Sequence, residues 1–105
     1  VLGLPRTVNV TSSEINEAIK PILNMIIGVI KGVLEEIPPE LASDIIDKGI
    51  TLSGGTSTLR AFDRLVTQEV GVPAHLAEDP LLCVVRGTGM AIESLDLYKN
   101  SLVKR

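Results

Sequence analysis

The sequence contains no tryptophan, one cysteine (Cys83) and one histidine (His75). A single thiol makes neither an internal disulfide nor a zinc cluster, and the lack of disulfides fits a reducing compartment. One imidazole excludes a multi-histidine metal site. Ser/His/Asp chemistry would have to use His75 as its base, and no neighbouring residue suits that role. Aromatic residues amount to 2%, Phe62 and Tyr98 alone, so the stacking platforms that bind single-stranded bases are missing. Ten Lys and Arg stand against 13 Asp and Glu, a formal charge of −3. That balance makes the chain a poor electrostatic partner for nucleic acid. No apolar run is long enough to read as a membrane-spanning helix. The opening VLGLPRTVNV lacks the basic-then-apolar layout of a signal peptide.

What is present fits one globular domain. The chain has 105 residues, 45% of them hydrophobic, which leaves room for one domain and argues against disorder. It begins with Val in what reads as a strand, so a piece of a longer protein is expected. Leu4 to Val10 alternates polar and apolar residues as a short strand does, with Pro5 at its entry. Thr11-Ser12-Ser13-Glu14 is a capping box. A helix is expected from there to about Glu36, with Ile15, Ala18, Ile19, Ile22, Leu23, Ile26, Ile30, Val33, Leu34 and Ile37 on its core face. Pro21 should kink it or set a new start. Gly28 and Gly32 share one face and read as a place for close packing. The wide apolar stripe, if uncovered, should drive association.

Pro38-Pro39 starts a second helix, Glu40 to Asp47, with Leu41, Ile45 and Ile46 inward and Gly49 as a left-handed cap. Ile50 to Ser53 reads as a strand and Gly54 to Ser57 as a tight turn. A helix from Ser57 to Glu69 follows, with Leu59, Phe62, Leu65 and Val66 inward, closed by Gly71. Val72 to Ala77 is a second strand, and Asp79-Pro80 a helix start. The last helix, to about Asp96, should bury Val84, Val85, Ala91, Ile92 and Leu95, with interruptions at Gly87 and Gly89. Alternating strands and helices give an α/β class. Two strands alone are marginal, which again suggests a fragment of a larger sheet.

The segment GITLSGGTSTLRAFD, Gly49 to Asp63, is the most informative. A strand running into two glycines and then a helix leaves bare backbone beside free N–H groups. That arrangement favours a phosphate or a nucleotide packed on the turn. The plain alternative is a Gly-Gly connection with no ligand. No lysine follows closely, so the loop is neither a P-loop nor a dinucleotide fingerprint. Gly87-Thr88-Gly89 reads as a second close-approach point or as tight helix packing. Arg86 reads as a phosphate contact or a solvated side chain, and His75 as an exposed strand residue. Cys83 reads as a small buried hydrophobe.

Three stretches carry a family resemblance: LPRTVNVTSSEINEA, PPELASDIIDKGITLSGG and AEDPLLCVVRGTG, in this order and spacing. From about Gly3 to Leu97 the chain resembles the C-terminal part of the bacterial actin homologue MreB, the rod-shape-determining family. The resemblance implies the actin/Hsp70/hexokinase fold, in which two lobes on ribonuclease-H-like sheets hold ATP and Mg2+ between them. The expected fold is therefore a partial ribonuclease-H-like, actin-like ATPase subdomain: a mixed sheet remnant packed with helices. Residues 1–10 would be the strand leaving the small subdomain. Residues 11–97 would be the C-terminal part of the large subdomain of the second lobe, and residues 98–105 a polar tail. Gly54, Gly55, Thr56 and Ser57 match the family's adenosine motif, whose common form is Gly-Gly-Gly-Ala. A positive φ at Thr56 would be strained.

The resemblance further implies self-association into filaments at the inner face of the membrane, in the cytoplasm, working with the cell-wall synthesis machinery. Other readings are a piece of a sugar kinase or chaperone of the same superfamily, and a ligand-free interaction module. The family's phosphate-gripping hairpins and magnesium carboxylates match nothing in this chain, and no catalytic residue or metal ligand is expected in it. Hydrolysis needs those groups acting together. The 105-residue chain alone should therefore show no ATP turnover above buffer in a phosphate-release assay, and measurable turnover would contradict this.

Overall fold

The computed structural model describes residues 3–101. They form two compact units, Val1–Ile37 and Pro38–Arg105.

The first unit is one helix, α1 (Ser12–Glu36), preceded by an extended stretch. Thr11 caps it as the sequence predicts: its Oγ1 accepts from the Glu14 N–H at 3.2 Å. The helix runs unbroken through Pro21, so no new start is needed there. It stops because Pro38 forces its predecessor out of the helical region, and Ile37 sits at φ −75°, ψ 152°. Leu4 to Val10, expected as a strand, has no regular secondary structure. A strand needs a neighbouring edge, and among the described residues the two strands pair only with each other. Ile15, Ile22 and Val33, expected in the core, are at least half exposed, as are Met25 and Val29. Ile27 is buried, and Ile19, Leu23, Ile26, Ile30 and Leu34 of the expected core face are half-buried. Gly28 and Gly32 bring nothing close: a Cβ at either would meet no atom within 4 Å.

The second unit is an α/β layer. Helix α2 (Pro39–Lys48) starts on a first-turn proline and ends on a basic residue that suits the helix dipole. Its Leu41 and Ile46 are exposed, contrary to expectation, and Ile45 is half-buried. Strand β1 (Ile50–Leu52), helix α3 (Phe62–Val70) and strand β2 (Ala74–Leu76) form a parallel β-α-β unit. The fold class is as the sequence indicates. Of the mixed sheet, the described residues contain one parallel pair, with Ile50 opposite Ala74 and Leu52 opposite Leu76.

Phe62 and Val66 on α3 are the buried centre of this unit, with Val66 fully enclosed. Thr67 ties α3 to β2: its hydroxyl donates to the Asp63 carbonyl and accepts from the Ala74 N–H, both at 2.9 Å. His75 is exposed on β2 and its Nε2 lies 3.0 Å from Thr51 Oγ1 across the pair. Beyond β2 come a 3₁₀ turn (Pro80–Leu82) and helix α4 (Cys83–Glu93). The short helix α5 (Leu95–Tyr98) and a last 3₁₀ turn (Lys99–Ser101) follow. Gly87 and Gly89 lie inside α4 and do not interrupt it; the break falls at Ser94. Val84, Val85, Ile92 and Leu95 are exposed rather than inward. Two strands offer too little surface for a further helix to bury against. Leu102 to Arg105, part of the expected tail, lie outside the described residues.

Two glycines show where backbone freedom is required. Gly71 caps α3 in the left-handed region at φ 85°, ψ 8°, as expected. Gly49 also has positive φ (82°), but its ψ of −171° is extended, so it is no left-handed cap. A Cβ there would lie 2.5 Å from the Pro73 carbonyl oxygen, the acceptor of the Ile50 N–H at 2.7 Å. Gly71→Ala carries only the conformational cost, about 1–2 kcal/mol. Gly49→Ala adds a backbone clash at the mouth of the sheet and should lower the urea midpoint clearly further than Gly71→Ala does. Equal midpoints would contradict the clash.

Candidate functional site

The Gly54–Ser57 turn leaves the carboxyl end of β1 and faces the loop that leaves β2. Carboxyl ends of parallel strands are where open α/β sheets place ligands. Gly54 takes φ 86°, which only glycine adopts freely. Its N–H donates to the Pro80 carbonyl at 2.9 Å, tying the two loops together. A Cβ at Gly54 would meet nothing within 4 Å, whereas one at Gly55 would lie 3.2 Å from Leu81 Cδ2. Gly54 therefore offers bare, open backbone, and Gly55 makes room for Leu81. Thr56 does not have positive φ, so the strain considered for it does not arise; it is exposed.

The turn is braced from inside. Ser57 is buried and its hydroxyl donates to the Gly54 carbonyl at 2.6 Å. Thr58 donates likewise to the Gly55 carbonyl at 2.5 Å. The helix expected from Ser57 does not begin there. Residues Thr56–Thr58 make a 3₁₀ turn, Ala61 flips to φ 63°, ψ 17°, and α3 starts at Phe62. The free N–H groups and dipole of α3 thus do not belong to the glycine turn, and the site rests on bare backbone instead. Leu59, at the edge of this break, is exposed rather than inward.

Beside the turn lies a hollow of about 190 Å³ lined by Thr58, Asp79, Pro80, Leu81 and Leu82. Complete small-molecule pockets run to ~300–1,000 Å³, so this hollow can wall part of a ligand only. A larger hollow of about 360 Å³ on α1 is lined by five apolar side chains of that helix and carries no polar chemistry. Arg86, considered as a phosphate contact, pairs with Asp79 at 2.9 Å. Asp79 has no side-chain capping bond; its backbone is left-handed at φ 46°, ψ 62°. Cys83 is half-buried, its Sγ 3.7 Å from the carbonyls of Glu78 and Asp79. A Cβ on Gly87 or Gly89 would meet nothing within 4 Å, so neither reading of that pair as a close contact holds among the described residues.

Gly54, Gly55, Thr56 and Ser57 thus form one turn, but Ser57 serves the inside of it. Sequence reasoning missed the Pro80 bridge to Gly54, which joins residues 26 positions apart. It also missed the bend at Ala61, where alanine gives no sign of a positive φ. Bare Gly54 and the Leu81 side of the hollow leave room for part of a flat, ring-sized group. Among the described residues no three His, Cys, Asp or Glu side chains come together. Among the same residues no helix is long and apolar enough to cross a membrane.

This arrangement matches solved proteins of the actin-like fold. The crystal structure of MreB 5 of Spiroplasma citri bound to AMPPNP superposes with a TM-score of 0.82 at 33% identity, covering 97% of this chain and 31% of that one. The same protein bound to ADP gives 0.81 at 33% identity, over 90% of this chain and 29% of that one. The model of the MreB/Mbl protein family matches residues 1–100, and the chain belongs to that family. It is 49% identical over 96 residues to the cell shape-determining protein Mbl of Bacillus cereus, covering 91% of this chain and 29% of Mbl. It is 46% identical over 100 residues to the cell shape-determining protein MreB of Escherichia coli, covering 95% of this chain and 29% of MreB. The chain thus spans about three-tenths of the length of these relatives.

Proposed function

We propose that this chain is the C-terminal part of an MreB-type cytoskeletal ATPase and supplies the adenosine side of its ATP cleft. The observation that carries this reading is Gly54: positive φ, amide held by Pro80, and open space where a side chain would be. The similar MreB 5 of Spiroplasma citri, solved with AMPPNP and with ADP, supports it. In this reading Gly54 and Gly55 present backbone to the nucleotide, and exposed Thr56 offers a hydroxyl to ribose or phosphate. Ser57 holds the turn's shape from within. The phosphate grip, Mg2+ and the water-positioning carboxylates come from the remainder of a full-length protein, so this part is not itself the enzyme. We further assign the full-length protein to filaments on the cytoplasmic face of the membrane that direct wall synthesis and cell shape.

Thr56 gives the cleanest test, because it is exposed and its backbone is unstrained. A carboxylate placed ~4 Å from a phosphate costs about 4 kcal/mol at an effective dielectric of about 20. In the full-length protein Thr56→Glu should weaken ADP binding by about tenfold or more, while Thr56→Ser stays near wild type. Unchanged affinity in Thr56→Glu would leave Gly-Gly as a plain turn and support the ligand-free module.

A further inference from the structure

The two loops at the carboxyl ends of β1 and β2 meet through one backbone bond, Gly54 N–H to Pro80 carbonyl, 2.9 Å. The residue before Pro80 is Asp79, at φ 46° and ψ 62°. L residues hold this region at a cost, asparagine and aspartate at less than most. The Asp79 side chain does not cap the turn that follows. It reaches seven residues along, to Arg86 in the first turn of α4, with Nη2–Oδ2 at 2.9 Å. Leu81, next in sequence, packs toward Gly55. A line of contacts therefore runs from α4 through Asp79 and Pro80 to the glycine turn.

We infer that Asp79 is a positioning residue: its ion pair with Arg86 latches the Asp79-Pro80 bend to α4, which keeps the Pro80 carbonyl on the Gly54 amide and the bare face of Gly54 open. The inference rests on the reading of that turn as a nucleotide wall. The latch is weak by construction. The two side chains are 51% and 56% exposed, so water and salt screen the pair. Its loss opens a turn more often and does not unfold the unit. The nucleotide wall is thereby tied to ionic strength: low salt holds it formed, and high salt loosens it.

The experiment is hydrogen exchange at the Gly54 amide, read by NMR in the full-length protein with ¹⁵N-glycine, alongside ADP titration. Arg86→Ala should speed exchange about two- to fivefold at low salt, the range an exposed pair supports. Asp79→Asn removes the charge and keeps a side chain that tolerates the left-handed backbone. It should give a similar rise, which a purely conformational role for Asp79 would not. Arg86→Lys should restore most of the protection. At about 1 M salt, where the screening length is ~3 Å, wild type should exchange like Arg86→Ala. ADP affinity follows the closed fraction of the turn and should stay near wild type while the turn is mostly closed, whereas saturating ADP should slow Gly54 exchange in wild type and in Arg86→Ala alike. Unchanged Gly54 exchange in both Arg86→Ala and Asp79→Asn overturns the latch, whatever ADP does. Gly54 exchange that saturating ADP does not slow overturns the reading of the turn as the nucleotide wall, whatever the variants do.

Discussion

The second unit depends on one backbone hydrogen bond, from the Gly54 amide to the Pro80 carbonyl. It closes the carboxyl end of a strand pair only three residues long on each side. At the other end the Ile50 amide bonds the Pro73 carbonyl. So short a ladder has little strength of its own; the Ala77 N–H continues it on the Leu52 carbonyl at 2.8 Å, and the bonds of the Gly54 and Ile50 amides close its two ends. Each is made possible by a glycine with positive φ, Gly49 at one end and Gly54 at the other. The conformational requirement and the open surface at Gly54 are thus one property: the residue that lets the loops meet is also the one without a side chain.

The inside of the turn is satisfied by its own hydroxyls. Ser57 and Thr58 donate to the carbonyls of Gly54 and Gly55, three residues back, and no buried side-chain polar atom lacks a partner among the described residues. Such short-range bonds compete with helix formation. They fit the 3₁₀ turn seen here and the start of α3 at Phe62 rather than at Ser57. The wall is consequently backbone and hydroxyl, with no fixed charge of its own. A nucleotide on it would owe its charged phosphate contacts to other parts of a longer protein.

Local signals were legible in the sequence. Thr11 and Glu14 announced the cap of α1, Pro39 the start of α2, and Gly71 the end of α3. The β-α-β order and the Gly-Gly turn between strand and helix were readable too. Burial was not. Periodicity marks which face of a helix is apolar, and it does not say whether another element covers that face. Ile15, Ile22, Val84 and Ile92 all sit on periodic apolar positions and are exposed. The Pro80 bridge and the Asp79–Arg86 pair were hidden for another reason. Both join separate loops or turns, and their residues carry an obvious local role, first-turn proline and helix cap, that masks the tertiary one.

The account stands on Gly54 presenting open backbone to a purine nucleotide. The direct measurement is an ADP titration of the full-length protein with ¹⁵N-labelled glycine, following the amide signals of this unit. Gly54 and Gly55 should shift in proportion to occupancy, while Gly49 and Gly71, which precede β1 and β2 at the opposite end of the strand pair, stay in place. Saturation with Gly54 and Gly55 unmoved would contradict the account and put the nucleotide elsewhere.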